Sequence, residues 1–384
     1  MTANPRSRLR IGVLALAQIV AWGVLYYAVL VAAPAIAADT GWGEEAIFLA
    51  VTAGLLTSAI CGIPVGRWLD RHPRRVMVNG AAAAVLALLA VSAAPSIGVF
   101  TAAWVLCGAA QAAVLYQAAF TVITHRNERA RRGGLTVITL AGGLASTIFA
   151  PVTAWLVTEA GWRTAFLILA VILAVVVIPA YALTIESRWT HRAAVTVRDP
   201  ATDGAARTVR FWALSVSLAL MSFSMYAVTL SAVPASAEKG LDLQAASWVL
   251  GLIGVGQVLG RLLYLAVPHH AAPWIPPLVV GVLGSAALAG FAIAATPGWV
   301  FTTAVIAGVI RGALTLVQAS AVHDRWGAAA YGRLNGMLAA PIAGVTALAP
   351  GVAATLAGAL GSYERMDVLM ASICLVGGLV AIRR

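Results

Sequence analysis

Two arginines fall inside long apolar runs: Arg311 in VIRGALTLV, residues 309–317, and Arg261 in GQVLGRLLYL, residues 256–265. A guanidinium is planar, permanently charged and built to hold a carboxylate or phosphate through two parallel hydrogen bonds. Facing lipid it would be expensive, so a buried arginine is expected to face other protein groups or water. The usual counter-ion is a carboxylate, yet all 14 Asp and Glu residues lie outside the centres of the apolar runs. Two core cations without a core acid imply an anionic ligand, or else a structural role in which water and carbonyl oxygens solvate them. Arg311 sits deeper in its run, whereas Arg261 is near enough to an end to snorkel in part.

Other polar tips share these runs. They are Gln18, Trp22, Tyr26 and Tyr27 in the first; Tyr116 and Gln117 in the fourth; Tyr226 in the seventh; Gln257 and Tyr264 in the eighth; and Gln318 in the tenth. Gln18, Trp22 and Tyr26 recur every fourth residue and so share one helix face. Each needs a hydrogen-bond partner in an apolar setting and can find it by bridging helices or by meeting a ligand. The candidate ligand set is therefore Arg261, Arg311, Tyr26, Gln257, Gln18 and Tyr116. No phosphate-binding glycine loop, dinucleotide fingerprint or metalloprotease motif is present, so neither an enzyme nor a cofactor is expected. The adjacent His269 and His270 lack a third donor nearby, and no metal site is assigned to them.

The elements that must position these groups follow from composition. The 384 residues are 61% hydrophobic and only 10% charged, too few charges to cover the surface of soluble domains, which carry about 25%. A membrane-spanning helix needs roughly 20 mainly apolar residues. Twelve such runs are expected near 11–36, 45–66, 76–95, 99–123, 134–158, 164–186, 211–236, 244–267, 274–296, 299–322, 334–360 and 364–382. Cys61, Cys107 and Cys374 all lie inside these runs, where packing is their expected role.

Charge sets the expected orientation. Of 25 basic residues, 20 fall on the N-terminal side of the membrane and three, Arg163, Lys239 and Arg365, on the other. The positive-inside rule then places both termini in the cytoplasm. The net charge of +11 is mostly this bias, and no nucleic-acid motif accompanies it. Contact with membrane lipids is implied. The polar stretch 187–210, SRWTHRAAVTVRDPATDGAARTVR, reads as a cytoplasmic linker between an N-terminal bundle, 1–186, and a C-terminal bundle, 211–384. The halves echo each other. Gly- and Ala-rich runs with internal prolines recur in spans 5 and 11, and GIPVGRWLDR in span 2 is matched by GQVLGRLLYL in span 8. Small residues permit close helix approach and proline permits a bend.

The motif GRWLDRHPRRV, residues 66–76, closes span 2. Gly66, Asp70, Arg71, Arg74 and Arg75 within it resemble the loop 2–3 signature of the major facilitator superfamily, with Pro73 where glycine is common. The resemblance implies an all-α membrane protein of major facilitator fold, with twelve helices in two six-helix bundles. It also implies that Asp70 and Arg71 form a cytoplasmic gate latch. The stretch QIVAWGVLYYAVLVAAPAIAADTGW, together with VLYQAAFTVITHRNERARRGG and GWR, resembles bacterial carriers related to the monocarboxylate and oxalate/formate transporter families. That likeness assigns carboxylate recognition to Arg261, puts Gln257 where the family has an aspartate, and leaves the family's span 1 lysine without a counterpart.

The expectation is a monomeric secondary active transporter of a small organic anion in a bacterial inner membrane, with coupling to protons or a counter-anion left open. Two alternatives stand beside it: an efflux carrier for amphipathic drugs or metabolites, and a non-transporting membrane sensor or assembly protein.

Overall fold

The computed structural model describes residues 5–124, 137–185, 204–266, 272–327 and 331–382. The arginines of 126–132, His269 and His270, and most of the 187–210 linker lie outside these residues. Helix α1, Pro5–Trp22, runs through a π-helical turn, Gly23–Tyr27, into α2, Ala28–Thr40. There follow α3, Glu44–Arg71; α4, Pro73–Ser92; α5, Ile97–Val114; α6, Tyr116–Thr124; and α7, Ala145–Thr184, which is preceded by a helical stretch over 137–143. The second half contains α8, Val209–Leu230; α9, Ala232–Glu238; α10, Leu243–Ala266; α11, Ile275–Ala292; α12, Pro297–Trp326; α13, Tyr331–Leu360; and α14, Tyr363–Val380.

Ten stretches among the described residues are long and apolar enough to cross a membrane, against the twelve expected. The difference lies in two places. Expected spans 5 and 6 join in one 48-residue stretch, Val137–Thr184, bent where Gly161 adopts φ 76° and ψ 158°. Helix α14 is short and carries Glu364, Arg365 and Asp367 near its start, so it falls outside the ten. Large apolar side chains point outward along these helices, among them Ile60, Leu86, Val175, Leu183 and Leu265. Helices satisfy their own backbone groups, and lipid is the solvent that matches such a surface.

Two units are distinguished: Met1–Arg192 with Leu243–Gly251, and Ala193–Asp242 with Leu252–Arg384. In the first, α3 packs on α5, α4 on α5 and α7, and α1 on α7. Gly54 and Gly108 let α3 and α5 approach closely, since a Cβ on Gly108 would overlap the carbonyl of Gly54. In the second unit α14 packs on α11 and α8, α8 on α13, and α11 on α12. Helices α10 and α12 cross through Gly256, Gly260, Gly308 and Gly312, where an added Cβ would meet the facing backbone.

Both units place glycines with positive φ at turns. Gly41 and Gly240 follow the first helical pass of each unit with φ 71° and 83°. Gly161 and Gly361 precede the last with φ 76° and 81°. This left-handed backbone favours glycine because it has no Cβ to clash. Beside each pair of glycines an acid ties the two passes together. Asp39 accepts from Trp162 Nε1 at 2.8 Å and pairs with Arg163 at 2.5 Å, and Glu238 accepts from the backbone N–H of Tyr363 at 2.8 Å.

Candidate functional site

In the second unit the site is built around Arg311, at the middle of α12. Gly308 and Gly312 turn toward α10, and successive helix residues are about 100° apart, so Arg311 is directed off the α10 contact. Its guanidinium carbon lies 4.1 Å from the ring centroid of Tyr226 on α8. The arginine is buried, with 5% of its surface exposed. A cation held over an aromatic face is stabilised by about 0.5–2 kcal/mol, more as water is excluded. Gln257 on α10 is also buried, and its Nε2 has no hydrogen-bond partner among the described residues. The backbone of Gln257 lies against Gly312, which brings the Gln257 and Arg311 positions into one neighbourhood. Arg261, one turn further along α10, is only partly buried. Of the two arginines, Arg311 is buried and Arg261 half-buried.

In the first unit the candidates form an aromatic group. Trp22 and Tyr26 have ring centroids 5.1 Å apart, Trp22 and Tyr116 4.6 Å, and Tyr26 and Tyr27 5.1 Å. Tyr116 stacks on Phe120 at 5.3 Å and donates from its hydroxyl to Thr139 O at 3.1 Å. Two departures from α-helix make this arrangement. The π turn at Gly23–Tyr27 shifts the register of the aromatic residues, and Gly23 accommodates the ring of Phe149 where a Cβ would overlap it. The extended Leu115 breaks α5 from α6 and re-aims Tyr116.

Breaks of this kind free backbone carbonyls, which must be satisfied when buried. Gln111 Nε2 donates to Leu25 O in the π turn at 2.8 Å. Gln18 Nε2 donates to Val114 O at 2.8 Å and to the Tyr181 hydroxyl at 2.9 Å, and that hydroxyl in turn donates to Val114 O at 2.8 Å. Gln18 is fully buried. Its bonds describe the helix-bridging role that the sequence left open, because the carbonyl at the Leu115 break needs a donor.

The expected latch is not made in this structure. Asp70 and Arg71 are exposed, form no ion pair among the described residues, and line a cavity with Arg67 and Trp68. The sharp turn explains their direction: α3 ends at Arg71, His72 breaks the helix at φ −138° and ψ 57°, and Pro73 opens α4. Proline suits that first position, where its missing N–H would be unbonded anyway. Arg74 and Arg75 are exposed on the first turn of α4, and Gly66 lies within the last turns of α3. No group of three or more His, Cys, Asp or Glu able to hold a metal occurs among the described residues.

The family description "Major Facilitator Superfamily" matches residues 14–350. Among solved structures, the chain is similar to a bacterial homolog of the human lysosomal transporter Spinster in an inward-facing, unoccupied conformation. The TM-score is 0.75 at 15% identity, over 99% of this chain and 97% of that one. The same homolog in an inward-facing, occupied conformation gives a TM-score of 0.74 at 15% identity over the same shares. No curated protein matches the sequence.

Proposed function

This chain belongs to the Major Facilitator Superfamily and is a secondary transporter, and on that premise we propose that its solute is an amphipathic organic anion. The observation that carries the reading is Arg311 packed on Tyr226. The aromatic ring is a surface for an apolar body, and the edge of the guanidinium can hold a carboxylate or phosphate through two parallel bonds. Gln257 supplies a buried donor nearby. Arg261 is assigned a supporting electrostatic role, and Tyr26 and Tyr116 a stacking role within the first unit. The half-buried ring of Tyr226 beside the cation supports a drug-like or metabolite-like solute over a small carboxylate, which would leave that apolar surface without contact. In this reading the chain makes twelve passes through a bacterial inner membrane with both termini cytoplasmic. Asp70 and Arg71 latch a conformation other than the one described.

Thermal unfolding of the full chain in lipid nanodiscs tests the solute class. A ligand that binds only the folded protein raises its apparent stability. Matched probes sharing one aryl skeleton, an acid, an alcohol and an amine, should stabilise in the order acid, alcohol, amine, with acetate giving little. Equal stabilisation by acid and amine would remove charge recognition, and stabilisation by acetate equal to that by the aryl acid would remove the amphipathic requirement.

A further inference from the structure

Asp367 lies in the second turn of α14 and has no measurable exposure. Neither carboxyl oxygen has a hydrogen-bond partner among the described residues. A buried carboxylate is normally paired or bonded, because leaving its charge unsolvated costs several kcal/mol (roughly). The first unit offers a comparison. Trp162 bonds Asp39 through its ring N–H, and Tyr363 bonds Glu238 through its backbone N–H. One turn further on are Phe166 and Asp367, both fully buried. Where the first unit buries a phenylalanine, the second buries an acid.

The surroundings of that acid are built for a charge change. The charged groups acting on it are Lys239 and Glu238, from the end of α9, and Glu364 on its own helix. Helices α8, α11 and α13, which also pack on α14, bring no charged residue to this end. Glu238, Lys239 and Glu364 line a cavity of about 380 Å³ with Ala235, Gly361 and Ser362. Lys239 is turned away onto backbone: its Nζ donates to Ala292 O at 2.5 Å and Ala294 O at 3.2 Å. A lysine beside an ionised aspartate would be expected to bond it directly. Bonding two carbonyls instead is the arrangement expected if the aspartate is neutral.

We propose that Asp367 is a proton-binding site, reached from water through the Glu238–Lys239–Glu364 cavity, and that its protonation state selects the partner of Lys239. When the site is loaded, an O–H bond has formed on the Asp367 carboxyl with a proton taken from water in the cavity, and Lys239 holds the carbonyls that end α11. When it is empty, the proton has returned to water, Lys239 swings to the carboxylate, and the end of α11 is released. The step involves no electron transfer and no group beyond water and these side chains. It is independent of the solute assigned to Arg311.

The test is infrared difference spectroscopy of the full chain in neutral-lipid nanodiscs, titrated from about pH 5 to about pH 9. Wild type should show a carboxylic-acid C=O band that disappears as pH rises and is absent from Asp367→Asn. In Lys239→Met the loss should move to higher pH by about one unit, because the facing cation that favours the carboxylate is gone. In Glu364→Gln it should move the other way, because a facing anion is gone. These two variants keep Asp367 itself, so the titration is read even if Asp367→Asn does not fold. A band that persists in folded Asp367→Asn, or titration midpoints unchanged in both Lys239→Met and Glu364→Gln, would overturn the proposal. Exchanging potassium for sodium at fixed pH should leave the band unchanged. Its displacement by sodium would mark a metal-cation site and overturn the proposal as well.

Discussion

Arg311 was visible in the sequence because a charge within an apolar run has few places to go, and its depth in α12 follows directly from its position there. Its pairing with Tyr226 was not visible, because that depends on α8 lying beside α12 and on the rotamer the ring adopts. Asp367 gave no such signal. In YERMD it looks like one more charge at a helix start, and its complete burial emerges only once α9 and α14 are packed. Gln18, grouped in the sequence with Trp22 and Tyr26, bonds Val114 O and the Tyr181 hydroxyl and so braces its helix. Removing it by Gln18→Leu should lower stability by about 1 kcal/mol through the bonds lost at Val114 O and Tyr181. Aryl-acid affinity per folded molecule should be unchanged. Thermal unfolding run beside equilibrium binding checks this, and a tenfold affinity loss with unaltered stability would make Gln18 a solute contact. Tyr226→Phe should bind the aryl acid nearly as well as wild type, whereas Tyr226→Leu should bind it several-fold more weakly, since about 1 kcal/mol of ring interaction is lost.

At the scale of the element, long apolar runs announced nearly every helix, because twenty such residues in sequence have one stable form in lipid. The π turn at Gly23–Tyr27 was hidden, since a single extra residue in one turn leaves hydrophobicity unchanged. The Leu115 break was hidden too, as its cause is the set of donors from Gln18 and Tyr181 elsewhere in the chain. The α10–α12 crossing had a legible signal that went unread: Gly256 and Gly260 face Gly308 and Gly312, two small-residue pairs each spaced by four. Gly308→Ala would push a Cβ into the carbonyl of Ile253 and should cost roughly 1–3 kcal/mol. Gly298→Ala, with open space around it, should be within about 0.5 kcal/mol of wild type. Equal unfolding midpoints for the two variants would contradict the crossing as described. At the α3–α4 turn, Asp70→Asn should insert normally and bind solute with unchanged affinity but transport it more slowly. Wild-type transport rates in proteoliposomes would leave the motif as a topology signal alone.

For the molecule as a whole, paired motifs in the sequence suggested two halves, and the structure shows glycines with positive φ and turn acids in both units. Counting spans was harder, because Gly161 bends one long helical stretch without a polar loop and α14 begins with charges. Membrane-impermeant thiol labelling tests the orientation on a background in which Cys61, Cys107 and Cys374 are replaced. From outside, a cysteine at Asp242 should react and one at Thr208 should not, and the reverse would invert the assigned topology. The central claim, that Arg311 recognises the anionic part of an amphipathic solute, is tested most directly by equilibrium binding of the aryl acid and its alcohol to folded wild type and Arg311→Lys. Lysine keeps the charge but loses the planar fork and the fit to the Tyr226 ring. The account predicts acid affinity reduced about tenfold, a loss of about 1.4 kcal/mol, with alcohol affinity nearly unchanged. Equal acid affinities in the two proteins would contradict it and leave Arg311 as a structural element of the second unit.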